Sequence, residues 1–139
     1  MSKMTKAALF MLLISSVFIF NSCSKDEDEG KLPAISFKTG TGYTTADAAI
    51  AKSTAAKIGI NASKSEDKDV LTKFSITRSR NNGADSTMFS KDLSGSEGDN
   101  YSYDYNFTTP DNAAVDKYTF TVVNRDGLIN KVSLTVTVQ

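Results

Sequence analysis

Hydrophobic and polar residues alternate with a period of two over most of the chain after residue 32. Successive side chains of a β-strand face opposite sides, so each alternating segment has one apolar and one polar face. This pattern is typical of antiparallel sheets, because parallel strands buried on both faces read as continuous apolar runs. The alternating segments are 35–37, 56–62, 74–76, 101–107, 118–122 and 132–138.

Turn-forming residues separate these segments. Residues 124–127 (Asn-Arg-Asp-Gly) predict a hairpin between the last two strands, with Gly127 in the positive-φ position that such a turn needs. Residues 81–83 (Asn-Asn-Gly) predict a second turn, and residues 94–99 predict a looser loop. Pro33 and Pro110 lie outside the strand interiors, as proline requires.

Residues 45–57 permit two interpretations. The segment is rich in alanine, and Thr45 or Asp47 could cap a short helix. A short edge strand near 48–50 fits better, because the alternation of residues 56–62 follows directly from it. About seven short strands, with no long helix to cover a single sheet, predict an all-β, two-sheet antiparallel sandwich over residues 34–139.

The first 22 residues have the pattern of a signal peptide. Lys3 and Lys6 precede an apolar stretch of about 14 residues, which as a helix is too short for the roughly 30 Å of a bilayer core. Cys23, the only cysteine, follows this stretch. Residues 23–33 then form an acidic segment that we interpret as a flexible tether.

The Phe20-Asn21-Ser22-Cys23 sequence resembles the lipobox of bacterial lipoproteins of the Bacteroidetes type. The resemblance implies a diacylglycerol on the Cys23 thiol, an acyl chain such as palmitate on its amine, and an anchor in the outer membrane. The run that follows is similar to the signal that sends such lipoproteins to the cell surface; it consists of Ser24, Lys25, Asp26, Glu27, Asp28 and Glu29. A solvated tether is the alternative interpretation of this run, and the two are compatible.

The end of the chain resembles the closing strands of immunoglobulin-like domains in bacterial surface proteins, of the polycystic-kidney-disease and cadherin-like types. The resemblance rests on residues 116–122, the turn at 126–127, and residues 132–138. It implies an immunoglobulin-like sandwich and no particular activity.

Composition narrows the chemistry. The sequence has no histidine, which removes Ser-His, Cys-His and histidine–metal sites, and Cys23 is committed to lipid. Once Lys3 and Lys6 are removed, 14 basic residues face 16 acidic ones, which argues against nucleic acid as a partner. Calcium could use the side-chain oxygens of residues 66–69 (Glu-Asp-Lys-Asp) or 99–100 (Asp-Asn), but solvated loop charges are the better interpretation. We therefore expect a non-enzyme without cofactor or metal.

Two features are candidate sites. Tyr101, Tyr103 and Tyr105 share one strand face, where they form either a glycan-stacking platform or part of the core. The Asp85-Ser86-Thr87 sequence resembles the acceptor for O-glycosylation in exported Bacteroidetes proteins, which makes Ser86 the candidate residue.

These patterns predict a lipid-anchored surface lipoprotein that serves as a non-catalytic interaction or adhesion module. The membrane, reached through the anchor, and a protein or glycan would be its partners. The loops at 81–85 and 94–100, or a sheet edge, would contact the partner. The alternatives are a carbohydrate-binding accessory protein of a glycan-uptake system and an envelope component that faces the periplasm.

Overall fold

The computed structural model describes residues 29–139, which form an immunoglobulin-like β-sandwich of two sheets. The predicted fold class is therefore confirmed. The strands are β1 (Ala34–Phe37), β2 (Ala48–Ile50), β3 (Ala55–Ser63), β4 (Leu71–Arg80), β5 (Asp85–Asp92), β6 (Asn100–Thr108), β7 (Ala114–Asn124) and β8 (Ile129–Val138).

The smaller sheet has the order β1-β3-β6 and the larger one the order β2-β8-β7-β4-β5. Every pair is antiparallel except β2 with β8, which run parallel. This pair departs from the purely antiparallel sandwich that the alternation predicts. The 38–47 connection carries the chain from the β1 edge of one sheet to the edge of the other, so that three residues of β2 lie alongside β8 in the same direction.

Segment 45–57 contains the edge strand β2 and no helix, as the favoured interpretation predicted. Asp47 fixes the strand by accepting a hydrogen bond from the Thr135 N–H at 2.7 Å. The two predicted turns are also present. Asn81 and Asn82 have φ values of 51° and 58°, and Gly127 has 79°, which glycine and asparagine adopt with the least strain.

β5 is an eighth strand that the alternation did not predict. Its residues are mostly exposed, with only Phe89 and Lys91 half-buried. The register with β4 joins Ile76 to Phe89 and Thr77 to Thr87, so Met88 forms a bulge without a partner. A bulge reverses the order of inward and outward side chains, and an edge strand buries few of them. Both effects remove the period of two from the sequence.

The core lies between the sheets. Phe74 of β4 is fully buried and contacts four aromatic rings, those of Phe89, Tyr101, Tyr103 and Phe120. The buried apolar side chains come from β3, β4, β6, β7, β8 and Leu93; they are Ile58, Ile60, Ala62, Leu71, Phe74, Ile76, Leu93, Tyr101, Ala114, Tyr118, Phe120, Val122, Leu134, Val136 and Val138.

A hydrogen-bonded group closes one end of the sandwich. The amide of Asn124 donates to the buried carboxylate of Asp69 at 2.5 Å and to the carbonyl of Lys31 at 3.2 Å. Asn130 donates to the carbonyl of Pro33 at 2.8 Å. Residues 31–33 therefore lie against this end of the domain.

The predicted signal peptide, Cys23 and residues 24–28 of the acidic run lie outside the described residues, and Glu29 is exposed at their start. Across residues 29–139 the structure contains no helix with the length and apolar character needed to cross a membrane.

Candidate functional site

The three candidate tyrosines of β6 point between the sheets. Tyr101 is only 7% exposed, and Tyr103 and Tyr105 are half-buried against the core. Tyr101 and Tyr103 contact Phe74, with ring centroids 5.2 and 5.7 Å away. Of the two interpretations of these tyrosines, the structure agrees with the one in which they are part of the core. They do not form a flat row of exposed rings on which a glycan could stack.

β6 crosses the larger sheet at an angle. Near its start, the Tyr103 ring stacks on Phe89 of β5 with centroids 4.5 Å apart. Near its end, Tyr105 and Phe107 contact Tyr118 of β7 at 5.7 and 4.9 Å. The start of β6 therefore lies over β5 and its end lies over β7. As a result, the inner faces of β4 and β5 are less covered beside the end of β6.

The less covered region contains the inward side chains of Arg78, Arg80, Ser86 and Phe89, with Tyr105 at its border, and we call it the open corner. The strand register identifies the inward residues, because directly paired residues share a face. Arg78 pairs with buried Tyr118 on one side and with Ser86 on the other, and Arg80 pairs with buried Asp116. Ser86 is exposed, and both arginines are partly exposed.

Arg80 and Asp116 neutralise each other in the open corner. The guanidinium donates two hydrogen bonds, from Nε to Oδ1 at 2.7 Å and from Nη2 to Oδ2 at 2.8 Å. The Asp116 side chain is 1% exposed, whereas that of Arg80 is 36% exposed. The hydrogen bond to Asp116 raises the pKa of Arg80. Both carboxylate oxygens are occupied by Arg80, so Asp116 is already paired with one cation.

The guanidinium of Arg78 is the one charged group of the open corner that no carboxylate neutralises among residues 29–139. Its Nε is buried and has no hydrogen-bond partner among residues 29–139. The neighbouring rings are neutral: burial raises the pKa of Tyr118 to about 12 and also raises that of Tyr105, although Arg78 opposes both shifts. The open corner therefore has a net positive charge and an unsatisfied buried donor, which is costly in the absence of a partner.

Two free strand edges flank the open corner. β6 pairs only with β3, and β5 pairs only with β4, among the strands of the described region. Met88 of β5 is a further exposed apolar side chain near this edge, at 37% exposure. Unpaired edges present rows of backbone donors and acceptors to any other strand.

A second surface feature lies on the outer face of the smaller sheet. It is a shallow depression of about 330 Å³ with a floor of short side chains, among them Ser36, Asn61, Ser63, Asn100 and Ser102. The register places Ser36, Asn61 and Ser102 in one row across the three strands. Among residues 29–139, none of these five side chains has a hydrogen-bond partner that the structure records.

Tyr43 lies on the same outer face of the smaller sheet, but it is not among the residues that line the depression. Its ring lies over Gly59, where an added Cβ would come within 2.5 Å of it, and its hydroxyl donates to Asp104 at 3.1 Å. Lys57 Nζ lies 4.4 Å from the ring centroid, and Lys38 pairs with Asp104 at 2.6 Å. The hydrogen bond from Lys38 lowers the pKa of Asp104.

The other candidate residues are spread over the molecule. Ser86 lies in the open corner rather than in a loop, and the turn at 81–84 adjoins it. The segment predicted as a looser loop before β6 contains a short 3₁₀ helix, Gly95–Gly98; it lies beyond the other end of β5, where Glu97 pairs with Lys91 at 2.5 Å. Within the described part of the chain, no three carboxylate, histidine or cysteine side chains form a group suited to a metal ion.

Arg78, Arg80 and Asp116 are site residues that the sequence reasoning missed. All three continue the inward alternation of their strands, Arg78 and Arg80 after Phe74 and Ile76, and Asp116 before Tyr118. A charged residue at an inward position is the signal that could have identified them, because such charges require partners.

No family model matches the chain, and neither does any curated protein. Among solved structures, the chain is similar to the superoxide reductase (neelaredoxin) of Ignicoccus hospitalis, with 5% identity, a TM-score of 0.51, and coverage of 78% of this chain and 81% of that one. It also matches the CARDB domain of a Pyrococcus furiosus protein, with 13% identity, a TM-score of 0.41, and coverage of 76% and 96%. At these identities, the similarity concerns the fold alone.

Proposed function

We propose that this protein is a non-catalytic interaction or adhesion module, anchored by lipid at Cys23 to the outer membrane and displayed on the cell surface. The observation that carries the interaction role is the open corner, where a buried Arg78 donor without a partner lies beside two free strand edges. Such a group is satisfied when a partner binds. The lipobox-like sequence and the acidic run support the anchor and the surface location.

Protease shaving of intact cells tests the location. We expect the native protein to be cleaved, and a variant with Lys25, Asp26 and Glu27 changed to alanine to be protected. A Cys23→Ser variant should leave the membrane fraction. Protection of the native protein in cells with a demonstrably sealed outer membrane would contradict surface display.

Site-specific photo-crosslinking in the same cells tests the interaction role. A photoreactive residue at position 86, in the open corner, should give a discrete adduct. The matched control is position 133, where Ser133 is exposed on the outer face of β8. The adduct should disappear when Arg78 is changed to methionine. Equal adducts from both positions would contradict a role for the open corner.

Glycan binding is the second candidate function, and the depression on the outer face of the smaller sheet is the observation that favours it. Hydroxyl and amide side chains without internal partners are suited to hydrogen-bond the hydroxyl groups of a neutral sugar. In this hypothesis the ligand binds the outer face of the smaller sheet, in a depression that Tyr101 helps to line, and not on a row of exposed tyrosine rings.

A panel of neutral oligosaccharides tests this candidate. Binding to the full-length protein in detergent should be lost in Asn61→Ala and retained in Asn106→Ala. Asn106 is the matched control because it is an exposed asparagine on β6, outside the depression. Equal loss in both variants, or no binding by the native protein, would exclude glycan binding at this depression.

A further inference from the structure

We infer that the open corner accepts one extended peptide segment of a partner, which adds as a strand to the free edge of β6 and places a carboxylate on Arg78. This inference deepens the proposed interaction role by naming the form and the chemistry of the partner. It rests on the layering of the sheets, the free edge and the charge of the open corner.

The layering leaves space for a single strand. The larger sheet has five strands and the smaller one has three, and β6 is the last strand of the smaller sheet on the side where β5 ends the larger one. Tyr103 covers Phe89 near the start of β6, but the inward residue Ser86, towards the start of β5, is exposed, and so is Met88 in the bulge. A strand added about 4.8 Å beyond β6 would lie over Ser86 and close the sandwich.

The same layering disfavours a second copy of this chain on the β6 edge. Because β5 extends beyond β6, two molecules joined through β6 would have to place both β5 strands in the same space. A separate extended segment has no second sheet beneath it and avoids this overlap. Strand addition of this kind combines backbone hydrogen bonds with pockets for alternate side chains.

Because the open corner is positively charged, the peptide that binds there should carry an acidic side chain. Arg80 is paired with Asp116, so Arg78 is left as the uncompensated cation, with its buried Nε unpartnered. A carboxylate on the inward face of the added strand would accept from this guanidinium. Apolar residues at the other inward positions would contact Phe89 and Tyr103, which are half-buried.

A designed peptide tests the inference with the full-length protein in detergent, independently of where the protein resides in the cell. The probe is Lys-Val-Thr-Val-Thr-Glu-Thr-Val-Thr-Val-Lys, which places valine and the central glutamate on one face and reads the same in both directions. We expect saturable binding by fluorescence anisotropy and new hydrogen-exchange protection of β6 amides. The glutamine version of the peptide should bind roughly 10-fold more weakly.

Two protein variants make the test specific. Arg78→Met should weaken binding of the glutamate peptide by about 10-fold or more and remove the difference between the two peptides. Lys73→Met is the matched control, since Lys73 is an exposed basic residue on the same strand, and should bind both peptides as the native protein does. Near-UV circular dichroism establishes that each variant is folded.

Three results would overturn the inference. They are no binding at millimolar peptide, equal binding by Arg78→Met and the native protein, and equal binding of a peptide whose alternate amides are N-methylated. If protease shaving showed a periplasmic location while the peptide bound as expected, the surface proposal would fail and the strand-addition site would stand.

Discussion

The half-buried Tyr103 links the core to the edge of the sandwich at the scale of single residues. Its ring stacks on Phe89 and contacts Phe74, so it joins the two sheets where the smaller one ends. The hydroxyl can reach solvent from this position while the ring packs, as is common for tyrosine.

Changing Tyr103 to alanine should destabilise the domain by about 3 kcal/mol, near the lower end for loss of a core aromatic because the ring is only half-buried. Urea denaturation monitored by circular dichroism measures this loss. Thr108→Ala, an exposed position on the same strand, should change stability by less than about 0.5 kcal/mol. An unchanged midpoint for Tyr103→Ala would instead indicate a surface role.

Tyr118 predicts how stability depends on alkaline pH. Burial raises its pKa from 10.0 to about 12, so folding favours the neutral phenol. The stabilisation is complete below pH 10 and is lost as the pH rises through about 12, on the order of 2–3 kcal/mol in total. Urea denaturation between pH 9 and 12 measures this loss.

Tyr118→Phe is the control for the alkaline effect, because phenylalanine keeps the ring and removes the titrating group. This variant should show a correspondingly smaller loss of stability across the same range. An identical pH profile for the two proteins would show that another group is responsible.

β3 illustrates at the scale of the element how one glycine determines the packing of a loop. Gly59 leaves the space that the Tyr43 ring occupies, which lets the hydroxyl of Tyr43 reach Asp104 and holds the 38–47 connection on the sheet. A Cβ at this position would come 2.5 Å from Tyr43 Cε1 and 2.7 Å from Lys38 Cδ. Both side chains would therefore have to move.

The cost of Gly59→Ala should depend on the residue at position 43. In the native background the substitution should destabilise, because it displaces both Lys38 and Tyr43 with its hydrogen bond to Asp104. In a Tyr43→Ala background it should destabilise less, because only the Lys38 side chain must then move and alanine costs less backbone entropy than glycine in a strand. A double-mutant cycle by urea denaturation measures this coupling, and additive effects would contradict it.

The strands with strong alternation could be predicted from sequence because each has one buried face, as β7 and β8 do. β5 could not, since its bulge at Met88 and its exposed edge remove the period of two. The parallel direction of β2 was also beyond local sequence, because three residues carry no information about which strand they will join.

Stability should be distributed unevenly over the whole molecule. β7 lies inside the larger sheet between β4 and β8, whereas β5 has one neighbour and mostly exposed residues. Segments with fewer buried contacts open at lower free energy.

Native-state hydrogen exchange should therefore show the greatest protection in β7 and the least in β5 and β2. The exchange of amides in β4 that pair with β7 serves as an internal reference. Protection of β5 equal to that of β7 would mean that the open corner is already closed, and would count against a binding site there.

The sequence alone determined the all-β sandwich, its main strands and its turns, because burial of one face imposes a period of two and turns demand glycine or asparagine. It also determined the limited chemistry, since a chain without histidine has no imidazole to use. Whether the β6 tyrosines were core or platform depended on the second sheet, and only the tertiary structure placed them against Phe74 and Phe89. The open corner likewise depends on long-range packing, because the crossing of β6 over β4 and β5 decides which inward charges find partners.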